Sequence, residues 1–205
     1  MKFQEEVKVN EPFSVKYSIL QYFSNESSLL LLDGDDSNDL PFSWMVAAGS
    51  IDEVRYDSSC PFEKLQDFHF KHKDWIFGHL NYDLKNHVES LQSDNWDGIK
   101  APEMSFFLPK YMFRCHENRL SIYRHDSQND FKYISLKTFE LNKNFSLKEE
   151  WKRRISPEEY VFQVEKIKDL IQRGDLYEIN YCQEFYMDLV DIKPISVYKN
   201  LRRHS

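Results

Sequence analysis

The stretch GDLYEINYCQEF, residues 174–185, lines up carboxylates and an amide in the order a β-strand would present them. With a period of two, Tyr177, Ile179 and Tyr181 share one face, and Glu178, Asn180 and Glu184 the other. On an edge strand that polar face would meet water. On a central strand it would meet a pocket or a second sheet, where buried polar groups need partners. Two further clusters carry side chains capable of chemistry. His69 and His72 form an HxxH with His79 nearby, and helical spacing could turn the first two toward one metal. No third ligand follows and the segment is rich in lysine, so it reads as a solvated face. DGDDSND, residues 33–39, is acid-rich but lacks the ligand spacing and closing Glu of an EF-hand, and reads as a solvated turn. Cys182 reads as a small packed apolar residue. No nucleophile elbow, P-loop or dinucleotide fingerprint occurs.

The elements that must position these groups are unevenly marked. The clearest is ISPEEYVFQVEKIKDLIQRGD. Ser156 is an N-cap with Glu159 three residues on, Pro157 stands at the first helical position, and Gly174 suits a left-handed C-cap. Tyr160, Val164, Ile167 and Ile171 form its apolar face, with Val161 and Leu170 beside them. A strand is expected from Leu176. Upstream, residues 13–32 alternate loosely, and PFSWMVAAGSIDEVRY reads as strands with a turn near Gly49. KLQDFHFKHKD suits helix or loop, and DWIFGHLNYDL suits a strand. YMFRCHENRLSIYRHD reads as a hairpin turning at His116, Glu117 and Asn118. FKYISL is a further short strand, and NKNFSLKEEWKRR a charged connection. The aromatic residues Trp44, Trp75 and Phe77 suit a core. A last helix begins at about Pro194. Ser205 reads as a truncation point, with a natural charged tail as the alternative.

The chain has 205 residues, 41% hydrophobic and 30% charged, enough for a real core. Its net charge of −7 argues against a nucleic-acid surface, which needs clustered Lys and Arg. The longest aliphatic run, Leu29 to Leu32, is far short of a membrane span. The start, MKFQEEVKVNEPF, is unlike a signal peptide, and the three scattered cysteines suit a reducing compartment, so a cytoplasmic location is expected.

EYVFQVEKIKDLIQRGDLYEINYCQEF resembles the helix-to-strand segment of the chorismate-utilising enzymes, which reads Y-x-x-x-V-x-x-I-K-x-x-I-x-x-G-D-x-Y/F-Q-x-N-x-x-x-x-F. Tyr160, Val164, Ile167, Lys168, Ile171, Gly174, Asp175, Tyr177, Asn180 and Phe185 match it. Glu178 departs, standing where the motif has Gln: it keeps an acceptor and loses the donor pair. LLLLDGDDSNDLPFSW, WIFGHLNYDL and APEMSFFLPKYMFRCHENRLSIY resemble further family segments in the family's order. The likeness runs from about residue 28 to the end and corresponds to roughly the first half of a complete component I. Asp33-Gly34 and the compact N-terminus favour the aminodeoxychorismate (para-aminobenzoate) branch, with the anthranilate branch second.

The resemblance implies an α+β fold in which antiparallel β-sheets pack between helices, with residues 1–205 as the N-terminal portion of a single chorismate-binding domain. It implies chorismate as substrate, Mg2+ as cofactor, and a glutamine amidotransferase component II supplying ammonia. In the aminodeoxychorismate branch a lysine attacks the ring before ammonia displaces it. That lysine's P-I-K-G-T type segment and the magnesium glutamates belong to the family's second half, so this chain alone is expected to be inactive. By position the family's tryptophan effector pocket maps onto Asp33, Gly34, Pro41, Phe42, Ser43 and Trp44. Glu178 and Asn180 would lie on an internal strand facing that pocket. Gly34 lacks the family's hydroxyl, so tryptophan is expected to bind weakly or not at all. A stand-alone ligand-sensing or docking module is the alternative from a different class.

Overall fold

The computed structural model describes residues 1–34, 40–56, 60–89, 91–92, 96–125, 150–188 and 193–202. The chain divides into two compact units, Met1–Glu140 and Leu141–Ser205.

In the first unit, strands β1 (Lys2–Lys8), β2 (Leu29–Asp33), β3 (Trp44–Arg55), β4 (Phe77–Leu80), β5 (Met104–His116) and β6 (Arg119–Arg124) form one antiparallel sheet. Its order is β1-β6-β5-β3-β2, with β4 pairing the first part of β5. Helices α1 (Pro12–Tyr22), α2 (Pro61–His72) and α3 (Lys85–Val88) connect the strands, and a 3-10 turn over Tyr82–Leu84 precedes α3. The expected hairpin is present: β5 and β6 pair from Tyr111↔Arg124 to His116↔Arg119, turning through Glu117 in the left-handed region at φ 50°.

Residues 12–22 form a helix rather than continuing an alternating pattern. Five consecutive buried residues, Lys16 to Leu20, blur its periodicity. The expected turn near Gly49 is instead the middle of one twelve-residue strand, β3. Gly49, at φ +65°, leads into a bulge between Ser50 and Asp52, which bends the strand without reversing it. Pro109 of β5 faces Ser50 at that bulge, between the stretches of β5 paired by β4 and by β6. A residue without an N–H fits there at little cost. DWIFGHLNYDL supplies only the short strand β4 before the chain turns into the 3-10 segment. KLQDFHFKHKD resolves as the helix α2.

Directly opposed residues of an antiparallel ladder point to the same face. One face of the sheet therefore carries Leu31, Val46, Phe113 and Ile122 in one row and Asp33, Trp44, Cys115 and Leu120 in the next. Phe23, just beyond α1, packs on Phe113 at 5.7 Å between ring centroids, which places the α1 end of the chain over this face. The other face carries a cluster of Met45, Ala47, Phe77, Phe107 and Met112, with Leu30, Phe42 and Tyr123 packed against it. Trp44 and Phe77 are core residues as expected, whereas Trp75 is 56% exposed.

The second unit contains β7 (Lys152–Arg153), α4 (Pro157–Gln172), β8 (Phe185–Tyr186) and α5 (Pro194–Leu201). α4 has the expected ends. Ser156 Oγ accepts from Glu159 N–H at 3.1 Å. At the other end Gly174 N–H donates to Ile171 and Asp175 N–H to Leu170, a Schellman closure with Gly174 at φ +81°. Of its expected apolar face, Tyr160, Val164 and Ile167 are half-buried and Ile171 is exposed. The strand expected from Leu176 is confined to Phe185–Tyr186, which pair with Lys152–Arg153. Residues 176–184 find no ladder partner among the described residues, and a strand exists only by such pairing.

The architecture is α+β, with helices and antiparallel strands. No helix among the described residues is long and apolar enough to cross a membrane. FKYISL and most of DGDDSND and NKNFSLKEEWKRR lie outside the described residues.

Candidate functional site

β2 ends and β3 begins with Asp33 directly opposite Trp44. The ladder continues into the intervening loop, where Gly34 N–H donates to Ser43 O at 2.9 Å. Ser43 is tied on its other side as well: its N–H donates to Cys115 O at 2.7 Å, and its Oγ accepts from Glu117 N–H at 3.2 Å. The backbone around Asp33, Gly34, Ser43 and Trp44 is thus clamped between β2 and β5. Phe42 leaves this group and packs on the Met45–Phe77 cluster, and Pro41 is exposed. The structure therefore brings together four of the six positions mapped onto the effector pocket.

The sequence reading missed Lys16. From α1 its Nζ donates to both Asp33 oxygens, at 2.9 and 2.7 Å. The Lys16 side chain is 1% exposed and that of Asp33 9%. The ammonium also lies 5.0 Å from the centroid of Phe13 and 5.4 Å from that of Tyr17. A lone Lys inside FSVKYSIL is the signal that could have pointed to it: a cation amid apolar residues on a helix needs a partner once buried. Trp44 is 3% exposed, and its indole Nε1 has no hydrogen-bond partner among the described residues. Cys115, in the same cross-strand row, is fully buried. Burial pushes its thiol up to about 11, with the nearby Lys16 charge pulling weakly the other way. It is therefore a packed thiol and not a nucleophile.

Gly34 is tightly enclosed. A Cβ there would stand 3.0 Å from Ser43 O and 3.2 Å from Phe42 O, so a side chain at this position presses on backbone.

Glu178 and Asn180 are exposed in the irregular stretch after α4. Glu184, the third member of their face, is engaged. Arg154 grips it with Nε at 2.8 Å and Nη2 at 3.0 Å, while their backbones bond at 3.0 Å. The guanidinium holds the Glu184 carboxyl below its usual range. Tyr181 stacks on Tyr160 of α4 at 5.2 Å between centroids. Cys182 is exposed, contrary to the reading of it as a packed residue, and lies in the stretch that has no ladder partner among the described residues.

His72 and His79 are held by other bonds, and His69 is exposed. His72 Nε2 lies 2.8 Å from Asp52, which also takes Lys71 at 2.7 Å, and His79 Nε2 lies 3.1 Å from the Pro102 carbonyl. Hydrogen bonds from Lys71 and then His72 hold the Asp52 carboxyl down to about 2. Among the described residues no group of three or more His, Cys, Asp or Glu is placed to hold a metal ion.

Comparison with known proteins bears on this arrangement. The profile of the chorismate binding enzyme family matches residues 21–205. Aminodeoxychorismate synthase component 1 of Escherichia coli (strain K12) is 23% identical over 112 residues, which is 53% of this chain and 25% of that protein. The aligned region thus spans about a quarter of the relative's length. With the match running from β2 through the Asp33–Trp44 corner to α4, the chain belongs to the chorismate-binding enzyme family.

Proposed function

We propose that the chain is the N-terminal portion of an aminodeoxychorismate synthase component I, which aminates chorismate to 4-amino-4-deoxychorismate for para-aminobenzoate and folate synthesis. The observation that carries this reading is the family match over residues 21–205, joined to a relative bearing that name. Asp33-Gly34 at the β2 end supports the aminodeoxychorismate branch over anthranilate synthase. Ammonia would come from a glutamine amidotransferase component II in the cytoplasm.

Magnesium, when bound, would act as a Lewis acid on the substrate. Among the described residues no carboxylate set is suited to it. In this reading the Asp33–Trp44 corner, with Lys16 seated on Asp33, corresponds to the wall of the family's effector pocket, and α4 leads into Glu178 and Asn180.

The test is to read the gene beyond Ser205 and express its complete frame. Chorismate, ammonia and magnesium are added and products are separated by chromatography. A frame carrying a P-I-K-G-T type segment and yielding 4-amino-4-deoxychorismate supports the proposal. Anthranilate as product would move the protein to the other branch. A stop codon directly after Ser205, with no turnover, would favour a ligand-sensing or docking module.

A further inference from the structure

Every contact of the Asp33 carboxylate with Lys16 is one that an outside primary ammonium would make. The cation approaches both oxygens within 2.9 Å, is shielded from water, and is flanked by the rings of Phe13 and Tyr17. Carboxylate plus aromatic walls is the chemistry that selects an alkylammonium. On the same face of the sheet the buried Trp44 keeps an indole donor without a partner among the described residues. A buried donor in that state calls for an explanation, since most buried polar groups are paired.

We propose that Lys16 is a tethered ligand: the Asp33 corner is a primary-ammonium site that the chain fills with its own side chain. The lysine is delivered by α1 and cannot diffuse away, so its effective concentration exceeds that of a free amine at ordinary levels. The site is therefore closed to free amino acids, and the enzyme's activity does not respond to them. This consequence rests on reading the Asp33–Trp44 corner as an effector-type pocket, whereas self-occupation rests on the geometry alone.

The experiment uses the full chain with Lys16→Ala. That change keeps Cβ and removes three carbons and the ammonium, the size of n-propylammonium. Thermal melts are recorded with n-propylammonium, with propan-1-ol, and with tryptophan or other amino acids. The variant is expected to melt lower than the unmodified chain and to recover in a saturable way with n-propylammonium but not with propan-1-ol. The unmodified chain should not shift with either. Lys16→Ala/Asp33→Asn should lose the preference for the charged probe. Should Lys16→Ala not fold unaided, refolding from denaturant with n-propylammonium is expected to raise its soluble yield above that with propan-1-ol. Equal shifts in variant and unmodified chain, or no discrimination between amine and alcohol in melts and refolding, would overturn the proposal. Recovery with n-propylammonium but not with any amino acid would leave self-occupation standing and remove the effector-pocket reading.

Discussion

Lys16 and Asp33 are buried together, so neither can be removed alone without stranding a charge. Lys16→Met is expected to destabilise the chain by about 3–5 kcal/mol, whereas Lys16→Met/Asp33→Asn should recover much of that loss. Urea melts of the single and double variants measure the difference, and equal losses would mean the two groups are not coupled. Gly34→Ser would restore a hydroxyl next to this pair, but its Cβ meets the Ser43 and Phe42 carbonyls at 3.0 and 3.2 Å. The expected result is an overpacking cost of about 1–3 kcal/mol, visible as a lower urea midpoint. Asp52 carries a pH dependence of its own. Its carboxyl is held to about 2 in the folded chain, below the ordinary value of 3.8. Its contribution to stability is therefore complete above about pH 4 and is lost as pH falls toward 2. The urea midpoint of Asp52→Asn should lie below that of the unmodified chain at pH 5, and the gap should narrow between pH 4 and pH 2.

Among the elements, β4 and α4 show two kinds of constraint. At Gly78 a Cβ would run into Ser105 O and stand 2.6 Å from Phe106 Cα. β4 approaches β5 too closely there for any side chain. Gly78→Ala is expected to cost at or above the upper end of about 1–3 kcal/mol and to expose Phe77, now 5% exposed. Near-ultraviolet circular dichroism and a urea melt would register both effects. α4 depends instead on its ends. Ser156→Ala removes the Oγ acceptor for Glu159 N–H and should cost about 0.5–2 kcal/mol. A melt unchanged by Ser156→Ala would mean that the cap does not contribute to the stability of α4.

For the whole molecule, stability should be uneven. The first unit encloses Val46, Ala47, Ala48, Phe113 and Cys115 at 0% exposure. The described residues of α4 and α5 include none that is fully buried. Val161 and Phe162 of α4 remain 58% and 54% exposed. Amides with few buried neighbours exchange through local opening. Hydrogen exchange should therefore protect β3 and β5 far longer than α4, and equal protection would contradict this division. At the level of activity, the 205-residue chain should not turn over chorismate with magnesium and ammonia, because its sequence has no P-I-K-G-T type segment. Product above a heat-inactivated control would place the active site within these residues.

Local signals were legible where a few neighbouring residues suffice to define the geometry. Ser156, Pro157 and Gly174 bound α4 within one turn at each end, and the 116–118 turn lies between two alternating runs that pair as a hairpin. The motif around Gly174 and Asp175 likewise located the family, because it is a continuous stretch of chain. Tertiary structure decided the rest. Whether residues 176–184 form a strand depends on a partner strand, which the pattern of side chains does not supply. Whether Gly49 marks a turn or leads into a bulge depends on β5 pairing with β3 across it. Asp33 was legible as a candidate ligand group, but Lys16 stands seventeen positions earlier on a helix whose periodicity is blurred by burial on successive residues. Only the packing of α1 over the β2–β3 corner brings that ammonium to that carboxylate, since a long-range ion pair is written in the fold and has no fixed spacing in the chain.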